Sequence, residues 1–366
     1  MKKFISILSI TFFLTLILNN NIHAQGCVAI RSTGAGSTVH KPDATNGWSL
    51  NINNRYFKSY KHYVGKDEQY YRIDSGTNVI NHQYTLDFAL TKDINKYWSV
   101  MIDVPVLANS RSSLYEHTNP VTKESTGRHS THSFGIGDIR IAAYRWLLNP
   151  SKHSRGNVQV GLGLKLPTGD YKYQDWFHTS DTSMALGPVD QSIQLGDGGT
   201  GFTTEVNAFY NLNLNLSVYG NFYYLFNPRE QNGVSTARGG VPSSSATKYH
   251  TDVMSVPDQY MFRVGANYMI NNFTASAGIR YERIPAKDVV GESQGFRRPG
   301  YVFSAEPGVD YMFKKVTVYA YVPIAIVRDR IQSVSDIQRS IDTKTHVQGD
   351  AAFADYSVNI GATIHF

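Results

Sequence analysis

The chain has little cysteine, no long apolar segment beyond its start and little excess charge. Cys27 is the single cysteine of the 366 residues, so an internal disulfide is excluded. After the first 24 residues there is no run of about 18 apolar residues, which excludes membrane-spanning helices. The formal net charge of +6 is small and dispersed, which argues against nucleic acid as a partner.

The beginning of the chain has the pattern of an export signal. Two lysines precede the apolar stretch Phe4–Leu18, and Ala24 ends a plausible cleavage sequence. We predict a signal peptide over 1–24, cleaved near Ala24, followed by an irregular periplasmic N-terminal arm over 25–46. Lipidation at Cys27 is a less favoured alternative, since the branched residue usual before a lipoprotein cysteine is missing.

Strict alternation of apolar and polar residues predicts β-strands along the rest of the chain. In Tyr356–Phe366 every second residue is apolar, and the segment ends on an aromatic residue. The 24 tyrosines and 18 phenylalanines suit strands and the aromatic girdles of membrane barrels. The predicted strands lie at about 47–60, 81–91, 96–107, 134–148, 157–168, 200–211, 214–226, 259–270, 273–284, 300–313, 316–328 and 353–366.

The connections between these strands alternate between short and long. The long ones are polar and cover 61–80, 108–133, 169–199, 227–258, 285–299 and 329–352. Regular alternation of this kind is typical of up-and-down barrels, with short turns on the periplasmic side and long loops outside the cell. The sequence therefore predicts an all-β fold, an antiparallel transmembrane β-barrel of about 12 strands over 47–366.

Charged residues fall on one face of the predicted strands, and apolar residues on the other. Arginine at lipid-facing Leu162 should be costly, whereas arginine at the next residue, Gly163, should be tolerated better or narrow the pore. The charged face predicts lumen or selectivity residues at Asp103, Asp138, Arg140, Lys165, Glu205, Arg263, Arg280, Glu282, Glu306 and Asp310. Two interpretations are open: a paired structural network that fills the barrel, or a constriction that screens solutes by charge.

Two prolines interrupt apolar strand segments. Pro105 and Pro323 cannot donate to a strand ladder, so each predicts a bulge that bends the wall or admits a lateral opening. A kink without function is the more favoured interpretation.

Several motifs resemble functional sites and are weak. The segment 196–201 matches a dinucleotide fingerprint, but a strand follows it where the nucleotide site needs a helix. Glu116, His117, His129 and His132 share one predicted loop, yet their spacing matches no standard metal site. A barrel-wall acyl hydrolase would need a serine beside a histidine, and the histidines fall mostly in loops. We predict no catalytic residue, cofactor or metal.

Two segments carry a resemblance to a known family. Phe134-Gly-Ile-Gly-Asp-Ile-Arg140 and Gly161-Leu-Gly-Leu-Lys-Leu-Pro-Thr-Gly-Asp-Tyr171 resemble the outer-membrane transporters named for the meta-pathway of phenol degradation. The resemblance covers roughly 80–366. It implies passage of small, often aromatic or hydrophobic compounds, and it brings no catalytic residues.

Together these patterns predict an outer-membrane channel or transporter of a Gram-negative bacterium. Its expected partners are outer-membrane lipid, a small-molecule solute and the barrel-assembly machinery, which would bind the last strand ending in Phe366. A non-conducting barrel that anchors or docks a surface or secretion complex is the main alternative, and a barrel-wall acyl hydrolase is a weaker one.

Overall fold

A computed structural model describes residues 47–366. The first strands are β1 (Trp48–Val64), β2 (Asp67–Glu68), β3 (Ile80–Asp93), β4 (Trp98–Ser113), β5 (His129–Ile136), β6 (Arg140–Trp146), β7 (Gly156–Lys165), β8 (Gln174–His178), β9 (Met184–Pro188) and β10 (Gly201–Asn211). The others are β11 (Leu216–Phe226), β12 (Gln231–Ser235), β13 (Val253–Ser255), β14 (Gln259–Ile270), β15 (Phe273–Ile284), β16 (Gly300–Met312), β17 (Val316–Tyr321), β18 (Ile324–Asp329) and β19 (Ala351–His365). The helices are α1 (Tyr71–Asp74), α2 (Ser244–Lys248) and α3 (Val334–Thr343).

The strands form a closed antiparallel barrel whose wall has twelve strands. Each pairs with its neighbour in sequence, and the last strand, β19, pairs with β1 from Ser49↔His365 to Tyr63↔Ala351. In two places one wall strand is built from two segments: β5 with β6 is the fourth strand, and β17 with β18 is the eleventh. Closure pairs the first and last strands, so neither carries a free sheet edge along this seam. The predicted 12-strand barrel is confirmed.

The predicted strand ends are less accurate than the strand count. The first and third wall strands continue to Val64 and Ser113, beyond the predicted ends at 60 and 107. The predicted loops consequently contain strand at their bases, and also carry the hairpins β8–β9 and β12–β13. Within the described part of the chain, no helix is long and apolar enough to cross a membrane.

Side chains alternate between the outer surface and the barrel interior. On β7, Leu162 and Leu164 lie on the outside with 68% and 42% of their surface exposed, whereas Lys165 is 4% exposed. Apolar residues on the outer face and polar residues inside are the arrangement of a membrane barrel rather than of a soluble one.

The expected tolerance of arginine at Gly163 is wrong. A Cβ atom at this position would lie 2.6 Å from Thr203 Oγ1 and 2.7 Å from the carbonyl oxygen of Ile141. The neighbouring strands leave no room for any side chain, because one of the two obstructing atoms belongs to the backbone. Alternation identifies the face of a residue, but not the space beside it.

The wall is interrupted at two places. One contains Pro323, and the other lies beside Pro105. Val322 and Pro323 separate β17 from β18, where the sequence predicts a bulge. Residues 137–139 separate β5 from β6, and the amide of Gly137 donates to the carbonyl of Pro105 on the adjacent strand at 2.9 Å. Pro105 itself remains within β4, so the irregularity beside it falls on the partner strand.

Candidate functional site

The interior contains all ten charged residues expected in the lumen, and nine of them fall into two clusters. The first cluster, on the third to sixth wall strands, consists of Asp103, Asp138, Arg140, Lys165 and Glu205. The second, on β14 to β16, consists of Arg263, Arg280, Glu282 and Glu306.

Arg140 and Lys165 organise the first cluster. Arg140 binds Asp103 at 3.1 Å and Glu205 at 3.5 Å. Lys165 lies 3.5 Å from Asp138 and contacts Asp197, a loop residue that was not among the expected lumen residues. Carboxylates outnumber cations here, and every cation has a carboxylate partner.

The second cluster is a chain of alternating charges. Arg263 binds Glu306 at 2.5 Å, and Glu306 also lies 3.3 Å from Arg280. Arg280 binds Glu282 at 2.7 Å. Two positive and two negative side chains neutralise one another, which is how buried charges escape the large cost of an uncompensated one.

Asp310 lies apart from both clusters, towards the short-turn end of the barrel. It lines a cavity of about 530 Å³ together with the polar residues Ser217, Asn267 and Thr274. Apart from Asp310 and Arg155, the residues that line this cavity are uncharged.

A chain segment that the sequence did not reveal crosses the lumen near the long-loop end. This lumen segment, residues 190–199, is the last part of the long connection between β7 and β10. It reaches the wall through Gln83 Nε2, which donates to the carbonyl of Ser192 at 2.9 Å, and Ser133 Oγ, which donates to that of Ile193 at 2.5 Å. On its other side, Gln191 Nε2 donates to the carbonyl of Ser255 at 2.9 Å.

The match to a dinucleotide fingerprint lies partly within this segment. Gly196 has no room for a side chain, because a Cβ there would lie 2.4 Å from Asp138 Oδ1. The amides of Asp197 and Gly169 donate to the Asp138 carboxylate at 3.2 and 3.0 Å. The glycines therefore allow the segment to approach the wall closely.

Buried ion pairs fix the start of the lumen segment. Asp190 accepts two hydrogen bonds from Arg298, at 3.0 and 2.7 Å, and lies 3.4 Å from Arg111. Glu116 binds Arg111 at 2.8 Å and Arg238 at 2.6 Å. We call these five residues the latch.

The latch is stable to acid. Burial alone would raise the pKa of Asp190, but Arg111 and Arg298 hold that pKa well below its usual range. A carboxylate with a lowered pKa adds stability at pH values above its usual range and loses it only as the pH falls through the lowered pKa. The latch therefore remains charged under mildly acidic conditions.

Beside the lumen segment lies a partly open space, which we call the lumen cavity. Its volume is about 230 Å³, and it is bounded by the lumen segment, the first charge cluster and apolar side chains of the seventh to ninth strands. Tyr223, Leu225 and Ile284 form the apolar side, together with Met261 behind them.

The interruption at 137–139 brings this cavity close to the outer surface. The ladder between the fourth and fifth wall strands ends at Arg140↔Lys165. Beyond it, the amide of Leu166 still donates to the carbonyl of Ile139 at 2.8 Å. The Thr168 hydroxyl then donates to the carbonyl of Gly137 at 3.0 Å and accepts from the amide of Ile139 at 2.9 Å. Among the described residues, β5 pairs with β4 on one side and has no ladder partner on the side of the fifth wall strand.

Leu195 closes the interruption from within. A Cβ at Gly135 would lie 2.9 Å from its side chain, and Cβ atoms at Gly137 and Gly169 would lie 3.0 and 2.4 Å from its carbonyl oxygen. Leu195 is 4% exposed and also lines the lumen cavity. The side chain and the backbone carbonyl of Leu195 thus lie between the cavity and the wall interruption, with Leu107 and Pro105 also packed against Gly137.

Tyrosines on the inner wall lie flat against glycines of neighbouring strands. A Cβ at Gly161 would lie 2.5 Å from the ring of Tyr144, and one at Gly361 would lie 2.4 Å from the hydroxyl of Tyr319. An aromatic ring that covers an adjacent glycine stabilises a sheet and keeps the ring close to the wall. Neither the pairing nor its effect on the lumen could be expected from alternation.

Filling one of these glycine positions should destabilise the barrel. Gly161→Ala should lower the free energy of unfolding by about 1–3 kcal/mol, because the new methyl group overlaps the Tyr144 ring. Gly220→Ala is the matched control, since a Cβ atom at Gly220 would come no closer than 3.9 Å to a neighbouring atom, the carbonyl oxygen of Arg263. Urea unfolding in detergent micelles measures both, and equal midpoints for the two variants would contradict the ring–glycine packing.

The histidines of the long loops approach one another without forming a metal centre. His117 meets His129 and His178, with ring centroids 5.2 and 5.8 Å away, and burial lowers the pKa of His117 to about 4. Glu116 instead belongs to the latch, and His132 approaches Asp175. In the part of the chain described, no group of three or more His, Cys, Asp or Glu side chains is arranged to hold a metal ion.

The expectation that histidines fall mostly in loops requires correction. Because the first and fourth wall strands extend further than expected, His62, His129 and His132 lie on strands, and His178 lies on β8. His62 Nδ1 forms a hydrogen bond with Asp350 at 2.8 Å, and its Nε2 accepts from the amide of Val79, so neither ring nitrogen pairs with a serine.

Comparison with known proteins identifies the fold. No protein-family model and no curated protein sequence matches the chain. It is similar to the crystal structure of an outer-membrane channel from Pseudomonas putida F1, with a TM-score of 0.60 and 9% identity over 92% of this chain and 100% of that one. The chain has the fold of an outer-membrane β-barrel.

Two other solved structures are more distant. The translocator domain of the autotransporter NalP from Neisseria meningitidis gives a TM-score of 0.44 at 10% identity, over 90% of this chain and 92% of that one. The P. putida toluene transporter TodX gives 0.41 at 10% identity, over 90% of this chain and 91% of that one.

Proposed function

We propose that the protein is a passive outer-membrane channel for small organic solutes, with its long loops outside the cell. The observation that carries this proposal is the position of Leu195 between the lumen cavity and the wall interruption. A solute in the cavity would reach the apolar outer surface after a shift of this side chain, without crossing the charge clusters.

The outer surface beside the interruption suits an apolar solute. Phe134, Ile136 and Leu164 lie there with 68%, 52% and 42% of their surface exposed. The resemblance to the meta-pathway transporters supports the same class of solute, small aromatic or hydrophobic compounds. In this proposal, the wall interruption associated with Pro105 is a lateral opening rather than a kink without function.

Widening the proposed gate tests this path. Leu195→Gly should increase uptake of benzyl alcohol by cells with an intact outer membrane, relative to the unmodified protein, because the variant removes the side chain between cavity and interruption. Ion conductance in planar bilayers should change little. The matched control is Leu186→Gly, which alters an exposed leucine on the β8–β9 hairpin of the same connection.

Two outcomes would overturn the lateral path. If uptake and ion conductance rise together, the solute follows the barrel axis. If neither changes in a folded Leu195→Gly protein, the barrel is better explained as a non-conducting anchor for a surface or secretion complex.

Binding of the assembly machinery to the last strand is a further proposal. It is supported by the aromatic residue Phe366, whose backbone pairs with Trp48.

We propose that the second charge cluster influences which ions enter the lumen. Arg263→Ala should shift the reversal potential towards cation preference, because Glu306 and Glu282 would then outweigh Arg280. Arg283→Ala, on the outer face of β15, is the control. An unchanged reversal potential with lower heat stability would assign these charges a structural role only.

A further inference from the structure

We infer that the lumen cavity is a binding site for a small monocarboxylate with an apolar body, such as an aromatic or branched aliphatic acid. This inference rests on the proposed function and specifies its solute. Three observations carry it: an apolar side, a cationic lining, and two buried hydrogen-bond donors without partners.

The apolar side would hold the body of such a solute. Leu225 and Ile284 are 4% and 8% exposed, and Met254 and Leu195 are 2% and 4% exposed. Their side chains reach the cavity from the seventh and ninth wall strands, from β13 and from the lumen segment. A volume of about 230 Å³ is below the roughly 300–1,000 Å³ of drug-sized sites, so it fits a compound with one ring.

The rest of the lining is polar, and its charged residues are mostly cationic. Five cationic side chains line the cavity, against the two carboxylates of Asp138 and Asp197. The cationic residues are Arg55, Arg140, Lys165, Arg297 and Arg298. Arg140, Arg297 and Arg298 bind carboxylates that do not line the cavity, those of Asp103, Asp288 and Asp190. A solute in the cavity is therefore in contact with these arginines but not with the carboxylates that bind them.

Two residues of the lining each carry a buried donor without a hydrogen-bond partner in the described structure, Ser255 Oγ and Arg297 Nε. The residues are 1% and 2% exposed. Both terminal nitrogens of Arg297 bind Asp288, at 2.8 and 2.7 Å, whereas its Nε has no partner. An unsatisfied buried donor is unfavourable, and a carboxylate has two oxygens that accept from such groups.

The two donors belong to adjacent backbone segments. The amide of Ser255 donates to the carbonyl of Phe296 at 3.0 Å, and Met254 forms a bridge with Phe296. Ser255 and Arg297 thus flank one short backbone contact. Because Gln191 of the lumen segment donates to the carbonyls of Ser255 and Phe296, at 2.9 and 3.2 Å, this contact also lies beside the cover of the cavity.

Calorimetric titration of the purified full-length protein in detergent tests the inference. Benzoate, benzyl alcohol and benzylamine share a ring and differ in the charge of the head group, and acetate has the carboxylate without the ring. Benzoate should bind at least about tenfold more tightly than the other three, a factor that one lost charge-assisted hydrogen bond readily produces. Equal binding of benzoate and benzyl alcohol would overturn the inference.

Two matched serine variants locate the site. Ser255→Ala should weaken benzoate binding by about tenfold and leave benzyl alcohol binding unchanged. Ser304→Ala is the control, because Ser304 is 0% exposed and its hydroxyl likewise has no partner among the described residues, yet it does not line the cavity. Equal loss in both variants would show that benzoate binds elsewhere or responds to folding alone.

The measurement also separates this inference from the proposed channel function. If the unmodified protein does not bind benzoate while Leu195→Gly still increases benzyl alcohol uptake, the carboxylate site is wrong and the channel remains. If benzoate binds with the expected serine dependence and uptake does not respond, the site stands and the lateral path is wrong.

Discussion

Replacing Gln191–Leu195 with two glycines is expected to raise the single-channel conductance several-fold. In the intact protein these residues extend from the inner wall at Gln83 and Ser133 to the carbonyl of Ser255 on the other side. Removing them should widen the opening of the lumen cavity, since the same residues form part of its lining. Planar-bilayer recordings of the purified variant measure the effect.

A shortened hairpin tip provides the control for this deletion. Asp181–Ser183 lies in the exposed turn between β8 and β9 of the same connection. Shortening this turn should leave the conductance unchanged. If the lumen variant folds and conducts like the intact protein, the narrowest point lies lower, among the tyrosines and charge clusters of the inner wall. Heat modifiability on gels shows whether each variant still forms a closed barrel.

Leu162→Arg should lower the free energy of unfolding by about 2–4 kcal/mol if the residue lies at mid-depth in the membrane. Leu162 is on the outer face of β7 and 68% exposed, so in lipid its side chain would contact acyl chains. The charged guanidinium would have to be accommodated there without a partner. Urea unfolding in lipid vesicles, followed by tryptophan fluorescence, measures the loss.

The same substitution at Leu214 is the matched control. Leu214 is 92% exposed and lies in the short turn between β10 and β11, so arginine there should change the free energy of unfolding by less than about 0.5 kcal/mol. A comparable loss at Leu214 and Leu162 would contradict the assignment of the outer face to lipid.

The barrel could be predicted because its signal is repeated locally. Each wall strand requires only that alternate residues be apolar, and that pattern is readable in a short segment such as Tyr356–Phe366. The same alternation places Arg263 and Glu306 in the interior, where they bind each other. Their contact crosses the intervening strand β15, so it depends on two strand registers that alternation alone does not give.

The lumen segment could not be predicted, because its contacts depend on residues far away in sequence. Gln191–Leu195 has no strand or helix periodicity, and its partners Gln83, Ser133 and Ser255 belong to three separate parts of the chain. Asp197 was missed for the same reason, since a polar loop residue gives no sign that it will reach Lys165. The extra length of β1 and β4 was hidden by polar residues that turn inward near the loops.

The latch has a consequence for the order of assembly. Arg298 follows Asp190 by 108 residues, and Arg111 belongs to the third wall strand, so the latch can form only after most of the wall has folded. Contacts over such sequence separations form late because the loops that connect them must close first. A newly inserted barrel should therefore pass through a leaky stage, with complete walls and an unblocked interior, before Asp190 meets its arginines.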